Sequence, residues 1–318
     1  MKAAWDWHLP RTTREEEQQL IAFTCELGFD TLIIHEPTTT LMEFAQAVGL
    51  KVIAIITPNA TRQFIQQHPE ALQQMLPLEE AIKNSLHSIQ WEPYTIQAHR
   101  WFPIVQMAAL LCFEHPLAQA ELKRRVTDGL AIADGVAFDG FGFANHFACF
   151  CSHCQAKRQE VRTVDPSRHD AEVVATMAQA SLVEISHILY KHAKSIKSDA
   201  IVTNHLWPPF RPNPTYGSDL KLDFCSQTIS WFYQPNWSLE RVEFEAQEMK
   251  RLEKPENNRF VPFIGIFDEP YLRRSGERIA RELAIAKQYG EGHLVFCNLE
   301  AIQQYPDVRA AVEAALKE

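Results

Sequence analysis

Cys149-Phe150-Cys151-Ser152-His153-Cys154 packs three thiols into one short stretch, a C-x-C-x-x-C spacing that can wrap a single cation. Zinc takes four ligands in a tetrahedron with thiolates at about 2.3 Å, so the cluster needs one more donor from elsewhere. Cys112, in Leu111-Cys112-Phe113-Glu114-His115-Pro116, is the best candidate, and His115, His146 and His153 are alternatives. A site closed by four protein ligands is structural rather than catalytic. The competing reading is four reduced, metal-free thiols. Cys25, Cys225 and Cys297 are scattered and read as small core residues.

The second signal is carboxylate. Asp139 closes Gly135-Val136-Ala137-Phe138-Asp139, in which small and bulky residues alternate. If the stretch is a strand, Gly135, Ala137 and Asp139 share one face and Val136 and Phe138 the other. A charge amid Phe138 and Phe-Gly-Phe needs a reason to be there. Downstream, Phe263-Ile264-Gly265-Ile266-Phe267-Asp268-Glu269 puts Gly265 and Glu269 on one face, which favours Glu269 over Asp268 unless a bulge intervenes. Two such carboxyl groups can flank a glycosidic bond, one protonating the leaving oxygen while the other attacks the anomeric carbon or activates water. Asp139 and Glu269 are the preferred catalytic pair; Asp268 and Glu300 follow. The plainer alternative makes each a helix cap or the partner of a nearby arginine.

These residues must be held by elements, and the chain alternates short apolar runs with longer amphipathic ones, as βα units do. Strands are expected at Lys2–Trp7, Thr31–Glu36, Lys51–Thr57, Gly135–Gly140, Ala200–Leu206, Phe224–Trp231, Phe260–Glu269 and Gly292–Glu300. Helical patterns cover Arg14–Leu27, Gln63–Leu76, Leu117–Ala131, Ala171–Ile196, Glu277–Tyr289 and Val308–Leu316. Eight strands in this rhythm predict an α/β fold of the (β/α)8 TIM-barrel type, one domain over 1–318. Residues 58–134 form a long insertion and helix on its rim. Barrel chemistry collects at the C-terminal ends of the strands. The polar residues there are Asp6, His8, His35, Glu36, Asn204, His205, Gln227 and Asn298, all candidate substrate-binding groups. Trp207, Trp231 and Tyr233 join them, because flat rings with a polar edge can stack on sugar C–H faces. In such Pro-rich loops they could equally serve only to pack the loop down.

Composition bounds the partners. At 318 residues with 46% apolar residues the chain can bury one large core, so disorder is excluded. Net charge is −9 with no basic stripe, which argues against nucleic acid. Apolar runs such as Met107 to Phe113 are too short to span a bilayer. Met1-Lys2-Ala3-Ala4-Trp5-Asp6 has no apolar signal core, so a cytoplasmic location, no membrane partner and no organic cofactor are expected. Nothing in the sequence fixes the oligomeric state.

From Cys112 to Arg158 the chain reads Cys-x-x-x-Pro, an amphipathic helix, Gly-Val-Ala-Phe-Asp-Gly-Phe over 135–141, then Cys149-x-Cys151-x-x-Cys154. This resembles the glycoside hydrolase-like barrels and, more distantly, the family 42 β-galactosidases. In that family an upstream cysteine and a C-x-C-x-x-C after strand four hold a structural zinc. The resemblance implies Cys112, Cys149, Cys151 and Cys154 as zinc ligands, Asp139 as a catalytic carboxylate and a small carbohydrate or oligosaccharide as substrate. One departure is plain: family 42 has Asn-Glu where this chain has Asp139-Gly140. That departure keeps open a non-catalytic carbohydrate-binding barrel. A metal-dependent hydrolase of another class is the third possibility, with Asp6, His8 and His205 around a catalytic ion.

Overall fold

The computed structural model of the protein describes residues 1–7, 9–74, 90–91, 94–95, 109–141, 149–167, 170–206, 216–230, 236–266 and 273–317. Eight parallel strands close into a barrel: β1 (Lys2–Asp6), β2 (Thr31–Ile34), β3 (Lys51–Ile56), β4 (Gly135–Phe138), β5 (Ile201–Leu206), β6 (Phe224–Ser230), β7 (Arg259–Gly265) and β8 (Leu294–Cys297). Each neighbours the next in sequence, and β8 pairs with β1 to seal the ring. This is the (β/α)8 barrel that the alternation of runs predicts.

Helices cover the outside: α1 (Arg14–Leu27), α2 (Thr39–Val48), α3 (Arg62–Gln67), α4 (Pro116–Leu130), α5 (Ser152–Val164), α6 (Asp170–Ile196), α7 (Tyr216–Asp219), α8 (Leu239–Arg251), α9 (Gly276–Tyr289), α10 (Leu299–Gln304) and α11 (Pro306–Lys317). Small hydroxyl residues start many of them. Thr13, Thr38, Thr61, Ser238 and Ser275 each accept a hydrogen bond from a first-turn N–H, and Thr13 with Glu16 forms a full capping box. Gly28 and Gly49 end α1 and α2 in the left-handed region, at φ 97° and 73°. Among the described residues no helix is long and apolar enough to cross a membrane.

Two sequence expectations are corrected here. The helix expected over Gln63–Leu76 stops at Gln67, because Pro69 forces His68 out of the helical region. The strand expected to reach Glu300 ends at Cys297; the Asn298 side chain accepts from Ala301 N at 2.9 Å and starts α10, so Glu300 lies on a helix. Asparagine competes for backbone donors in this way, which the apolar pattern alone does not reveal.

Strand register sorts the side chains. Trp5, Ile33, Ile53, Gly135 and Ile201 lie level across β1 to β5, and Trp5 is level with Cys297 and Gly265 on the other side. This set points into the barrel, since Trp5 meets Phe263 at 5.7 Å and His205 at 5.5 Å between ring centroids, contacts that cross the lumen. Gly135 is there for want of space: a Cβ would overlap the Ile201 carbonyl of β5. Gly135→Ala is therefore expected to destabilise the fold by at least about 2 kcal/mol, since neither backbone can yield cheaply. Urea unfolding would show it, and an unchanged midpoint would refute the packing argument.

At the N-terminal end of the barrel one device recurs. Asp30, Asp134 and Asp223 each immediately precede an even-numbered strand. Their carboxylates accept from the backbone N–H of Lys2, Val52 and Val202 at 2.9, 3.0 and 2.8 Å. Each also donates its own N–H to the carbonyl of the same residue. Three adjacent strand pairs are thus pinned at their starts.

Candidate active site and cysteine centre

Asp139 follows β4 and continues the inward-facing row of Gly135 and Ala137. Its Oδ1 lies 3.4 Å from His205 Nδ1 of β5. The His205 ring is wholly buried, stacked on Phe263 at 3.8 Å between centroids, while its Nε2 lies 3.0 Å from Thr228 Oγ1 of β6. Asp139 keeps 22% of its side chain exposed, so the pair runs from the packed lumen up to the barrel mouth. Thr203 Oγ1 and Ser226 Oγ, 3.3 Å apart one layer below, continue this polar wall on β5 and β6.

Burial pushes the His205 imidazole below its ordinary pKa, and the Asp139 carboxylate opposes this only in part. His35, at the end of β2, is lowered for the same first reason, with Asp139 raising and Arg11 lowering it. A buried base with a depressed pKa stabilises the fold fully above its unfolded value, near pH 6.5, and less as pH falls, because the unfolded chain then binds the extra proton. Wild-type stability should accordingly fall between about pH 6.5 and 5, and His205→Gln should flatten that slope. Denaturant midpoints across this range provide the check; identical slopes in both proteins would count against it.

The structure distributes the other candidates unevenly. His35 and Glu36 line a cleft of about 550 Å³ beside the end of β3, with Thr57, Asn59 and Arg125. Glu36 takes a positive φ of 42°, rare for a side-chain-bearing residue. Asp6 is buried at the end of β1, where its Oδ2 accepts from Leu9 N at 3.2 Å. Its charge, after burial and together with that of Asp139, raises the Cys297 thiol. Asn204 and Gln227 fall in the alternate register to His205 and Thr228, away from the lumen: Asn204 Oδ1 accepts from Ser226 N, and Gln227 packs beside Gly217 of α7. Asn298 caps α10. His8, Trp207, Trp231, Tyr233, Asp268 and Glu269 lie outside the described residues. Phe141, a possible apolar wall for Asp139, stacks on Phe113 at 5.1 Å and meets Phe138 at 4.9 Å.

Sequence reasoning did not single out Thr228 or Phe263, the residues that fix His205. Their only signal was parity, Thr228 two residues beyond Ser226 and Phe263 two before Gly265.

The second centre joins two distant segments. Cys112, Cys149, Cys151 and Cys154 bring their Sγ atoms within 4.8 Å of one another and form a group able to hold a metal ion. A tetrahedral zinc with 2.3 Å bonds sets its sulfurs ~3.8 Å apart. Cys112 Sγ lies 3.7 Å from Cys151 and 3.4 Å from Cys154, so the donor set fits. Hydrogen bonds from Cys112, then Cys149 and Cys154, hold the Cys151 thiol far below its usual range. Backbone bonds brace the site: Cys112 N to Ala71 O at 2.9 Å and Phe150 N to Gln74 O at 2.6 Å. Among the described residues no other group of three or more His, Cys, Asp or Glu is close enough to hold an ion.

The chain thus combines a closed eight-stranded (β/α)8 barrel, an inward carboxylate and a four-cysteine group. No protein-family model matches the sequence, and no curated protein matches it either. Solved structures do match. The chain is similar to the PgaB (BpsB) glycoside hydrolase domain from Bordetella bronchiseptica, at 11% identity and TM-score 0.64 over 99% of this chain and 98% of that one. It is likewise similar to the polyextremophilic β-galactosidase from Halorubrum lacusprofundi, at 13% identity and TM-score 0.66, covering 100% of this chain and 58% of that one. A GH42 β-galactosidase from G. stearothermophilus follows at 10% identity and TM-score 0.60, covering 99% and 56%. The chain therefore spans little more than half of these galactosidases and nearly the whole PgaB domain. Its fold is that of glycoside hydrolase barrels, a distant structural similarity.

Proposed function

We propose that the protein is a glycosidase in which Asp139 is one of two carboxylates acting on the glycosidic bond of an oligosaccharide or glycoconjugate. The observation that carries this reading is the placement of Asp139, inward, partly exposed and held by His205 at the mouth of a barrel. With Nε2 accepting from the Thr228 hydroxyl, His205 would present Nδ1–H to Asp139 and orient its carboxyl group. The partner we assign is Glu269 by strand parity, with Asp268 and then Glu300 behind it. Asp6, His8, His35, Glu36, Asn204, Gln227, Asn298, Trp207, Trp231 and Tyr233 stand as candidate sugar contacts. The outward register of Asn204 and Gln227 ranks those two last. The four cysteines would hold a structural Zn²⁺.

Screening aryl glycosides and oligosaccharides, with the anomer of the first product followed by NMR, tests the reading and gives retention or inversion. Carboxyl groups about 5–5.5 Å apart predict retention, and about 6.5–9.5 Å inversion. The Asp139-Gly140 departure from Asn-Glu favours a second reading, a carbohydrate-binding barrel without turnover. Sugar binding with no hydrolysis in the wild type would select it.

A further inference from the structure

Arg158 stands two turns into α5, four residues after Cys154, and is 6% exposed. Its Nη1 donates to the Cys149 carbonyl at 2.8 Å, and its guanidinium lies 4.6 Å over the Phe150 ring. Its Nη2 is buried and makes no hydrogen bond among the described residues. Among the described residues no carboxylate pairs with it. The neighbouring cation, Lys157, is by contrast engaged by Glu114, which also accepts from Ser181. A buried guanidinium without an anion is costly, since desolvation of a charge is offset only by an opposite charge close by. The small cavity of about 20 Å³ that Arg158 lines is walled by Cys112, Cys149 and Cys154.

We infer that Arg158 is a positioning residue for the cysteine centre, its guanidinium supplying the countercharge to a tetrathiolate and bracing the Cys149 loop. This rests on the zinc reading above. Four thiolates and one divalent cation carry a net charge of −2, and this centre is largely shut off from solvent. The free donor of Arg158 is the one buried cationic group beside it with no carboxylate partner among the described residues. Outer-shell partners of this kind typically govern metal retention 10- to 100-fold.

The test compares Arg158→Gln, Arg158→Lys and wild type, each loaded with zinc. Metal content is measured first, then the rate of zinc transfer to a colorimetric chelator at fixed pH. Thiolate-to-metal charge-transfer bands of the cobalt-substituted proteins are recorded as well. Expected are about one zinc in wild type, release at least about tenfold faster in Arg158→Gln with shifted cobalt bands, and recovery of most of the difference in Arg158→Lys. A purely structural arginine would give Arg158→Lys no such advantage, and that outcome overturns the inference. So does an Arg158→Gln protein that releases zinc at the wild-type rate with unshifted cobalt bands. Should Arg158→Gln not fold, Arg158→Met keeps the aliphatic stem and is read in the same way. Wild-type protein that binds neither zinc nor cobalt overturns the zinc reading itself, a result distinct from equal release rates at full occupancy.

Discussion

Replacing Asp139 with asparagine is expected to cut kcat at least about 10³-fold on any glycoside the wild type cleaves, with the melting temperature changed by only a few degrees. Acid–base assistance alone is worth 10²–10⁴-fold, and a nucleophile more. Asparagine keeps the size and the carbonyl oxygen that faces His205 Nδ1, so the stack of His205 on Phe263 should survive. It removes the negative charge, which is the property the proposed reaction would need. Ligand affinity should hold within a few fold, because the substitution removes transition-state stabilisation rather than ground-state contacts. An Asp139→Asn enzyme with wild-type kcat would remove the ground for the proposed function.

Cys151→Ser should empty the cysteine centre. Zinc content is expected to fall from about one per chain to near zero, and the thermal midpoint by about 5 °C, on the order of 3 kcal/mol for a chain this long. Cys151 is 1% exposed and sits at the N-cap of α5, where a weaker oxygen donor has no room to be replaced by water. The centre ties the segment at Cys112 to the start of α5, and residues 140–148 run from there back to Asp139. Some loss of activity should accompany the metal. Metal analysis and calorimetry on matched preparations decide it; full zinc content in the variant would show that Cys151 is not a ligand.

Much of this was legible in the chain because it rests on local patterns. The alternation of runs gave the barrel, and α1 matches its expected span, Arg14–Leu27, since both its caps are written in neighbouring residues. The small-large alternation before Asp139 pointed it inward, and the cysteine spacing pointed to a shared site. Other features are tertiary. No periodicity says that His205 will stack on Phe263, or that Asn298 will claim Ala301 N and begin a helix. α2 was not foreseen, although Thr38 and Gly49 bracket it: it opens on Thr39 and Thr40, which carry weak helical preference. On β5 and β6 strand parity ranks Asn204 and Gln227 below His205 and Thr228, just as on β4 it turns Asp139 inward.

Asp30, Asp134 and Asp223 lie at the end of the barrel remote from any chemistry, yet they bear on it. A β-strand has a phase of two, so sliding one strand by a single residue exchanges its lumen side for its helix side. By clamping β3 to β4 at their first residues, Asp134 sets the phase that β4 carries upward to its last one. Slip that clamp by one position and Phe138, not Asp139, would look into the mouth, and His205 would lose the carboxylate that faces its Nδ1. Which way the aspartate at the mouth points is thus decided at the opposite pole of the molecule, by another aspartate that no substrate could reach.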